Sequence, residues 1–286
     1  MKKYALFLGC SIPARVRQYA DSTLAVLERL GVGLVDIPMF NCCGYPMRNF
    51  DQTAFLLSSA RNLALAEKKG LDMLVMCNCC YGSLKKAEYI MKEGGRQREK
   101  IDRLLAQNDL EFQGSIHVKH LLSVLYVDVG AEMIRNKISR PFGDLKIGVH
   151  YGCHALRPSK VTQFDDPVAP SLFDELVELT GAQSVDWPTR LECCGAPLTG
   201  VNDNLSMSLA RKKLSDVRQA GAEYLCTACP FCYMQFNAAG ENGNSPILYP
   251  QLLGLSMGIE REILGIDSNE LRALQVSTES GVEYVK

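Results

Sequence analysis

The pentapeptide Cys193-Cys194-Gly195-Ala196-Pro197 has a twin at Cys42-Cys43-Gly44-Tyr45-Pro46. Neighbouring cysteines cannot easily bridge each other, so a repeated doublet points to ligation of a metal or a cluster. Outlying cysteines accompany each doublet. Cys10, Cys77 and Cys80 flank the first, and Cys153, Cys229 and Cys232 flank the second, giving two groups of five. A zinc site takes four ligands and a cubane iron–sulfur cluster four thiolates. Five matched positions fit neither, and the surplus is informative. Gly44 and Gly195 are expected to let the backbone approach a bulky group, with Pro46 and Pro197 stiffening the exit from the turn. The nearest approach to a ferredoxin run, Cys226-x-x-Cys229-x-x-Cys232, lacks its fourth member.

Other reactive side chains are read beside these. Cys79 and Cys226 lie outside the matched set and are assigned to packing or support. His154 follows Cys153 directly and is the candidate proton donor to a released thiolate, since imidazole titrates near neutrality. His117, His120 and His150 are assigned structural roles. Arg15, Arg48 and Arg157 stand near the cysteines in sequence, where anionic substrate groups would want them. Arg211-Lys212-Lys213 reads as a solvated helix face.

Positioning so many thiols requires a frame, and the chain supplies it twice. Tyr4–Gly9 is a short apolar run delivering Cys10, followed by helical spacing from Val16 to Leu30 and a stop at Gly31. Gly33–Pro38 is a second strand before the doublet, and Asp51 caps a helix running to Lys69 with Gly70 as its stop. Met73–Met76 then delivers Cys77-Asn78-Cys79-Cys80. The pattern restarts after a Pro- and Gly-containing linker, Ile138–Asp144. Lys146–Tyr151 is a strand leading to Cys153, Asp174–Thr180 a helix, Gln183–Trp187 a strand, Asn202–Ala220 a helix stopped by Gly221, and Tyr224–Thr227 a strand. Doublet to cap is eight positions in both copies, and cap to stop glycine nineteen. Cys229 and Cys232 match Cys77 and Cys80 once a single residue is inserted, with Tyr81 and Tyr233 following in register. Lys119-His120-Leu121-Leu122 and Pro250-Gln251-Leu252-Leu253 open matching apolar helical stretches. Residues 92–113 are an extra polar, helix-prone segment of the first copy, and Leu271–Lys286 reads as a final helix and tail.

Strands alternating with helices predict an α/β fold: two tandem, pseudo-twofold related βαβ-type domains, 1–140 and 141–286, with short parallel sheets flanked by helices. In such sheets functional groups collect at the carboxyl ends of strands, where the cysteines fall. A formal charge of -1 with 22% charged residues gives no reason to expect nucleic acid or an anionic membrane as partner. No apolar run reaches membrane-spanning length, and Met1-Lys2-Lys3-Tyr4 leads straight into a strand-like segment, which places the chain in the cytoplasm. Twelve cysteines are about 4% of the chain, below the density of a disulfide scaffold, and a reducing compartment keeps them as thiols.

A cysteine, then a spaced Cys-Cys-Gly, then a spaced Cys-x-x-Cys, repeated over nearly the whole chain, resembles the twin Cys-Cys-Gly (CCG) domains of the heterodisulfide reductase B-subunit family. The resemblance implies that Cys10, Cys42, Cys43, Cys77 and Cys80, and likewise Cys153, Cys193, Cys194, Cys229 and Cys232, each hold a noncubane [4Fe-4S] cluster. Zinc in one site is a known variant. It further implies a disulfide oxidoreductase that cleaves or forms a small-molecule disulfide between two facing clusters, within a larger complex whose C-subunit-like partner carries ordinary [4Fe-4S] clusters. Two alternatives stand beside it: an electron-transfer subunit of a quinone-linked dehydrogenase complex, and a structural metal-binding module.

Overall fold

Tyr4, Ala5, Leu6 and Phe7 are buried one after another, as befits a strand covered by helices on both faces. The computed structural model, which describes residues 2–240, 246–266, 274–278 and 281–285, makes them part of β1 (Lys3–Phe7). There follow α1 (Ser11–Arg15), α2 (Arg17–Arg29), β2 (Gly33–Asp36), α3 (Gln52–Glu67), β3 (Met73–Val75), α4 (Asn78–Glu93), α5 (Arg96–Ala106) and β4 (Val118–His120). The helix expected from Val16 to Leu30 is α2, with Val16 and Leu30 as its caps, and the short α1 precedes it. Asp51 caps α3 as expected, accepting from the Thr53 and Ala54 amides, and Gly70 turns the chain at φ 64°. The polar segment 92–113 contains α5. Next come α6 (Leu121–Ser123), a π-helical turn (Val124–Val129) and α7 (Ala131–Arg135).

The second half repeats this plan with β5 (Lys146–His150), α8 (Cys153–Leu156), α9 (Ser159–Thr162), α10 (Leu172–Leu179), β6 (Gln183–Val185) and α11 (Asp203–Gln219). It continues with β7 (Tyr224–Thr227), α12 (Pro230–Ala239), β8 (Pro246–Leu248) and α13 (Tyr249–Ser256). Both four-stranded sheets are parallel throughout, in the orders β2-β1-β3-β4 and β6-β5-β7-β8. Strand register locates the inserted residue. Ala5 pairs with Met73 and Gly148 with Leu225, and Ala5 and Gly148 each stand five positions before their cysteine, so Met73 matches Leu225 and Cys77 matches Cys229. The extra residue sits in the turn between Gly221 and β7, at the end of the sheet away from the cysteines.

Two expectations are corrected. Lys119 and His120 do not open a helix: they end β4, paired through His120 and Val75. Leu248 pairs in the same way with Thr227. His120 thus corresponds to Leu248, and the helices start at Leu121 and Tyr249. The final helix expected in Leu271–Lys286 is absent over its described parts, where β9 (Leu274–Thr278) and β10 (Gly281–Val285) pair antiparallel. Val276, Thr278, Val282, Tyr284 and Val285 favour strand over helix. Residues 271–273, 279–280 and 286 lie outside the described residues.

The halves clasp each other reciprocally. Helix α2 of the first packs on α13 of the second, while α10 of the second packs on α6 and α7 of the first. Tyr81 reaches across to the Thr162 carbonyl at 2.6 Å, and its counterpart Tyr233 lies 3.5 Å from the Gln18 amide. The linker is tied down as well, Ser139 and Arg140 donating to the Ser256 carbonyl and Phe142 to that of Thr180. Among the described residues no helix is long and apolar enough to cross a membrane.

Candidate metal centre

Every one of the ten matched cysteines lies at or just beyond the carboxyl end of a strand. Cys10 and Cys153 follow β1 and β5 by way of Gly9 and Gly152, both at positive φ. The doublets occupy the loops after β2 and β6. Cys77 and Cys229 are the N-cap residues of α4 and α12, with Cys80 and Cys232 in the first helical turn. Helix N-termini favour anions, yet of these four only Cys229 is held below the ordinary thiol range, while hydrogen-bonded sulfur neighbours raise Cys77, Cys80 and Cys232.

Polar side chains of α3 and α11 hold the doublets. Ser58 donates to the Cys42 carbonyl at 2.7 Å, Ser59 to that of Cys43 at 2.6 Å, and the Asn62 amide to Cys42 at 3.3 Å. In the second half Ser206 donates to the Gly195 carbonyl at 3.0 Å. Gly44 and Gly195 have φ 83° and 88°, which favours glycine. The clearance they give faces the helix and not the sulfurs: an added Cβ would come within 2.7 Å of the Phe55 carbonyl oxygen and 2.5 Å of that of Ser206. The glycine that makes room for a sulfur is Gly9, whose Cβ would lie 2.9 Å from Cys80 Sγ.

Nine of the ten matched sulfurs form one connected set, while Cys10 is exposed with its Sγ 3.8 Å from Ser11 Oγ. Cys42 interacts with Cys43, Cys43 with Cys80, and Cys80 with Cys77. Cys153 interacts with Cys193, Cys193 with Cys194, and Cys194 with Cys232 at 3.5 Å. Cys77 meets Cys229 across the seam between the halves. All twelve cysteines are free thiols. In each doublet one thiol is made acidic by its neighbours: Cys43, hydrogen-bonded by Cys42 and Cys80, falls to about 3, and Cys193, hydrogen-bonded by Cys153 and Cys194, to about 2. Their donors rise in compensation, Cys194 to about 12 because Cys193 is already an anion. Crowded thiols sharing protons in this way cannot all ionise without a cation among them. Soft sulfur donors in that number suit zinc or an iron–sulfur cluster, and five per half exceeds a zinc site.

His154 lies where the halves meet. Its Nδ1 is 3.4 Å from Cys153 Sγ and 3.9 Å from Cys79 Sγ, and its Nε2 is 2.9 Å from Arg48 Nη1. A guanidinium only donates, so Nε2 is the acceptor and the ring proton is on Nδ1, facing sulfur. Burial first, and Arg48 second, lower the pKa of His154 and keep it neutral. Arg48 also stacks on Tyr45, 4.5 Å from the ring centroid. Arg15 is exposed and Arg157 bonds backbone carbonyls of Leu191 and Pro167.

Cys79 joins the seam, interacting with Cys229 and Cys77, whereas Cys226 is a fully buried strand residue matching Leu74 of the first half. His150, assigned a structural role from sequence, has a second aspect. One of its ring nitrogens and the sulfurs of Cys194 and Cys232 lie within 4.8 Å of one another. Neither ring nitrogen has a hydrogen-bond partner, and burial drives its pKa to about 3, so the ring is neutral. The signal was available in the comparison of the two copies, because Phe7 stands at the equivalent position. Lys213, expected on a solvated face, is also buried, against Trp187 and the Thr189 carbonyl. A cavity at this site is lined by Cys153, Cys193, Cys194, Cys229 and Cys232, and by Tyr45 and Cys79 from the first half. The larger hollow beside α3 and α5 contains no cysteine or histidine.

Residues 4–85 and 147–237 match the CCG cysteine-rich domain. The chain is 37% identical over 289 residues to the B subunit of the ferredoxin/F420H2-dependent CoB-CoM heterodisulfide reductase of Methanosarcina acetivorans, covering 96% of both chains. It is 32% identical to the 8-methylmenaquinol:fumarate reductase membrane anchor subunit of Wolinella succinogenes, over 96% of this chain and 99% of that protein. Among solved structures, a hypothetical protein from Helicobacter pylori superposes with a TM-score of 0.70 at 18% identity, over 94% of this chain and 52% of that one. That likeness concerns the fold alone.

Proposed function

Because the chain belongs to the heterodisulfide reductase B-subunit family of twin CCG proteins, we propose that it is the catalytic iron–sulfur subunit of a reductase complex. Each half, residues 1–140 and 141–286, holds a noncubane [4Fe-4S] cluster on its five matched cysteines, and a small-molecule disulfide is reduced between them. The observation that supports this is the interaction of Cys77 with Cys229 beside a cavity lined by Cys153, Cys193, Cys194, Cys229 and Cys232 of one half and Tyr45, Asn78 and Cys79 of the other.

The reaction consumes two electrons and two protons per disulfide and yields two thiols. A pair of iron–sulfur clusters, when bound, supplies one electron each and a Lewis-acidic iron for sulfur. The residues of the chain do the rest. Arg48 fixes the His154 tautomer so that Nδ1–H faces sulfur, making His154 a hydrogen-bond donor to a thiolate. Proton delivery from this ring requires Arg48 to release Nε2. The N-terminus of α12 favours negative charge at Cys229, which is held below the ordinary thiol range. Electrons come from a separate partner protein carrying ordinary [4Fe-4S] clusters, since this chain has no ferredoxin run, and the free thiols suit a reducing cytoplasm.

Protein purified without oxygen is assayed for metal, sulfide and viologen-driven reduction of a mixed disulfide. About eight irons with matching sulfide, together with turnover, are expected. Zinc alone would remove the catalytic claim. The Wolinella relative favours a second reading, an electron-transfer subunit of a quinone-linked enzyme. Iron-loaded protein that exchanges electrons with menaquinol but leaves disulfides intact would select it.

A further inference from the structure

The two five-thiol groups are matched in their cysteines and unmatched in what surrounds them. At the last residue of the strand leading to the first cysteine, the first half has Phe7, paired with Val75 and stacked on Phe40 at 5.3 Å. The second half has His150, paired with Thr227. Both side chains are buried, but only His150 brings a polar hydrogen, and neither of its ring nitrogens has a hydrogen-bond partner. One of those nitrogens lies within 4.8 Å of the sulfurs of Cys194 and Cys232.

A second difference lies on the helices that support the doublets. Eleven positions beyond the cap, α3 carries Asn62 and α11 carries Lys213. Asn62 uses its amide on the backbone of Asn41, Cys42 and Ser58. Lys213 is only 1% exposed, lies 4.7 Å from the Trp187 ring centroid and donates to the Thr189 carbonyl. Burial lowers its pKa to about 8, opposed by Glu192 and by the sulfurs of Cys194, Cys232 and Cys193. One half thus presents an aromatic ring and a neutral amide, the other an N–H donor and a buried cation.

We propose that His150 and Lys213 make the two metal sites electronically inequivalent, holding the second at the higher reduction potential so that an electron entering the chain settles there first. The physical basis is general. Adding an electron makes a cluster more negative, and a hydrogen bond to its sulfur or a nearby buried cation stabilises the more negative state. The inference rests on the proposal above that each half binds an iron–sulfur cluster, and deepens it by giving the pair a direction.

The test is a redox titration of the anaerobically purified full chain, followed by visible absorbance and electron paramagnetic resonance, after iron and sulfide have been measured. His150→Phe and Lys213→Asn install the residues of the first half. Two midpoints are expected in the unaltered protein. Each variant should lower only the higher one, reducing the preference of the electron for that site about tenfold, the effect of one charge-assisted hydrogen bond. His150→Gln, which keeps a donor, should restore most of the difference. Iron-loaded protein whose midpoints ignore both substitutions, or in which the lower midpoint moves instead, overturns the inference alone. Loss of half the iron in both His150 variants overturns it too, because His150 would then be needed for binding. Unaltered protein without iron would overturn the cluster proposal beneath it.

Discussion

Cys77 and Cys229 cap equivalent helices in the two halves and interact with each other across the seam. Each is therefore a neighbour of the opposite group as well as a member of its own. Cys77→Ser should lower bound iron by up to about half and also change the spectrum of the cluster that remains, because the partner of Cys229 has been altered. Full iron content with an unchanged spectrum would show that Cys77 binds nothing.

Cys80 and Cys232 lie buried in the first turn of those helices, Cys80 interacting with Cys43 and Cys232 with Cys194. Cys80→Ser and Cys232→Ser should each reduce viologen-driven disulfide reduction by a hundredfold or more, roughly the effect of losing a metal-site residue. Full activity in both variants contradicts the site. Cys226 is the control: it matches Leu74 in the strand core, so Cys226→Ala should lower stability by about 1 kcal/mol and leave iron and activity alone.

Gly195 has φ 88°, and an added Cβ would approach the Ser206 carbonyl oxygen to 2.5 Å. Gly195→Ala should destabilise the protein by about 1–3 kcal/mol, read as a lower unfolding temperature. An unchanged temperature would mean that the loop reorganises freely, against the packing described.

His120 is fully buried and its pKa is driven by burial down to about 4. An unfolded histidine titrates near 6.5. Between these values the unfolded chain binds a proton that the folded one refuses, so stability present above about pH 6.5 is lost as pH falls toward about 4. The slope is about 1.4 kcal/mol per pH unit. Urea midpoints of the parent and His120→Phe, compared from pH 7 to pH 4.5, should diverge in that window, the variant being the flatter. Parallel curves would contradict the burial of a neutral ring.

The duplication was legible because doublet, cap and stop glycine keep their spacing whatever the packing between them. Asp51 and Asn202 announce their helices through local hydrogen bonds, which sequence carries. What sequence withheld depends on contacts between distant segments. Arg48 joins His154 only because α8 of one half lies against the first doublet loop, and Lys213 is buried only because Trp187 covers it. The ending of β4 at His120 was hidden by an apolar helix following with no intervening loop. The strands β9 and β10 were hidden by a polar tail whose alternation is short.

The extra residue of the second half, between Gly221 and β7, lies at the amino end of the sheet, and the additional α5 of the first half is also spliced in ahead of a strand. The cysteine-bearing rim has changed as well, since Ala5 and Val35 stand 30 positions apart and their counterparts Gly148 and Val185 37. An engineer seeking a place for a tag, a tether or a reporter domain should take the amino rim, by the turn before β7 or the segment around α5, because insertion is tolerated there and no matched cysteine is near.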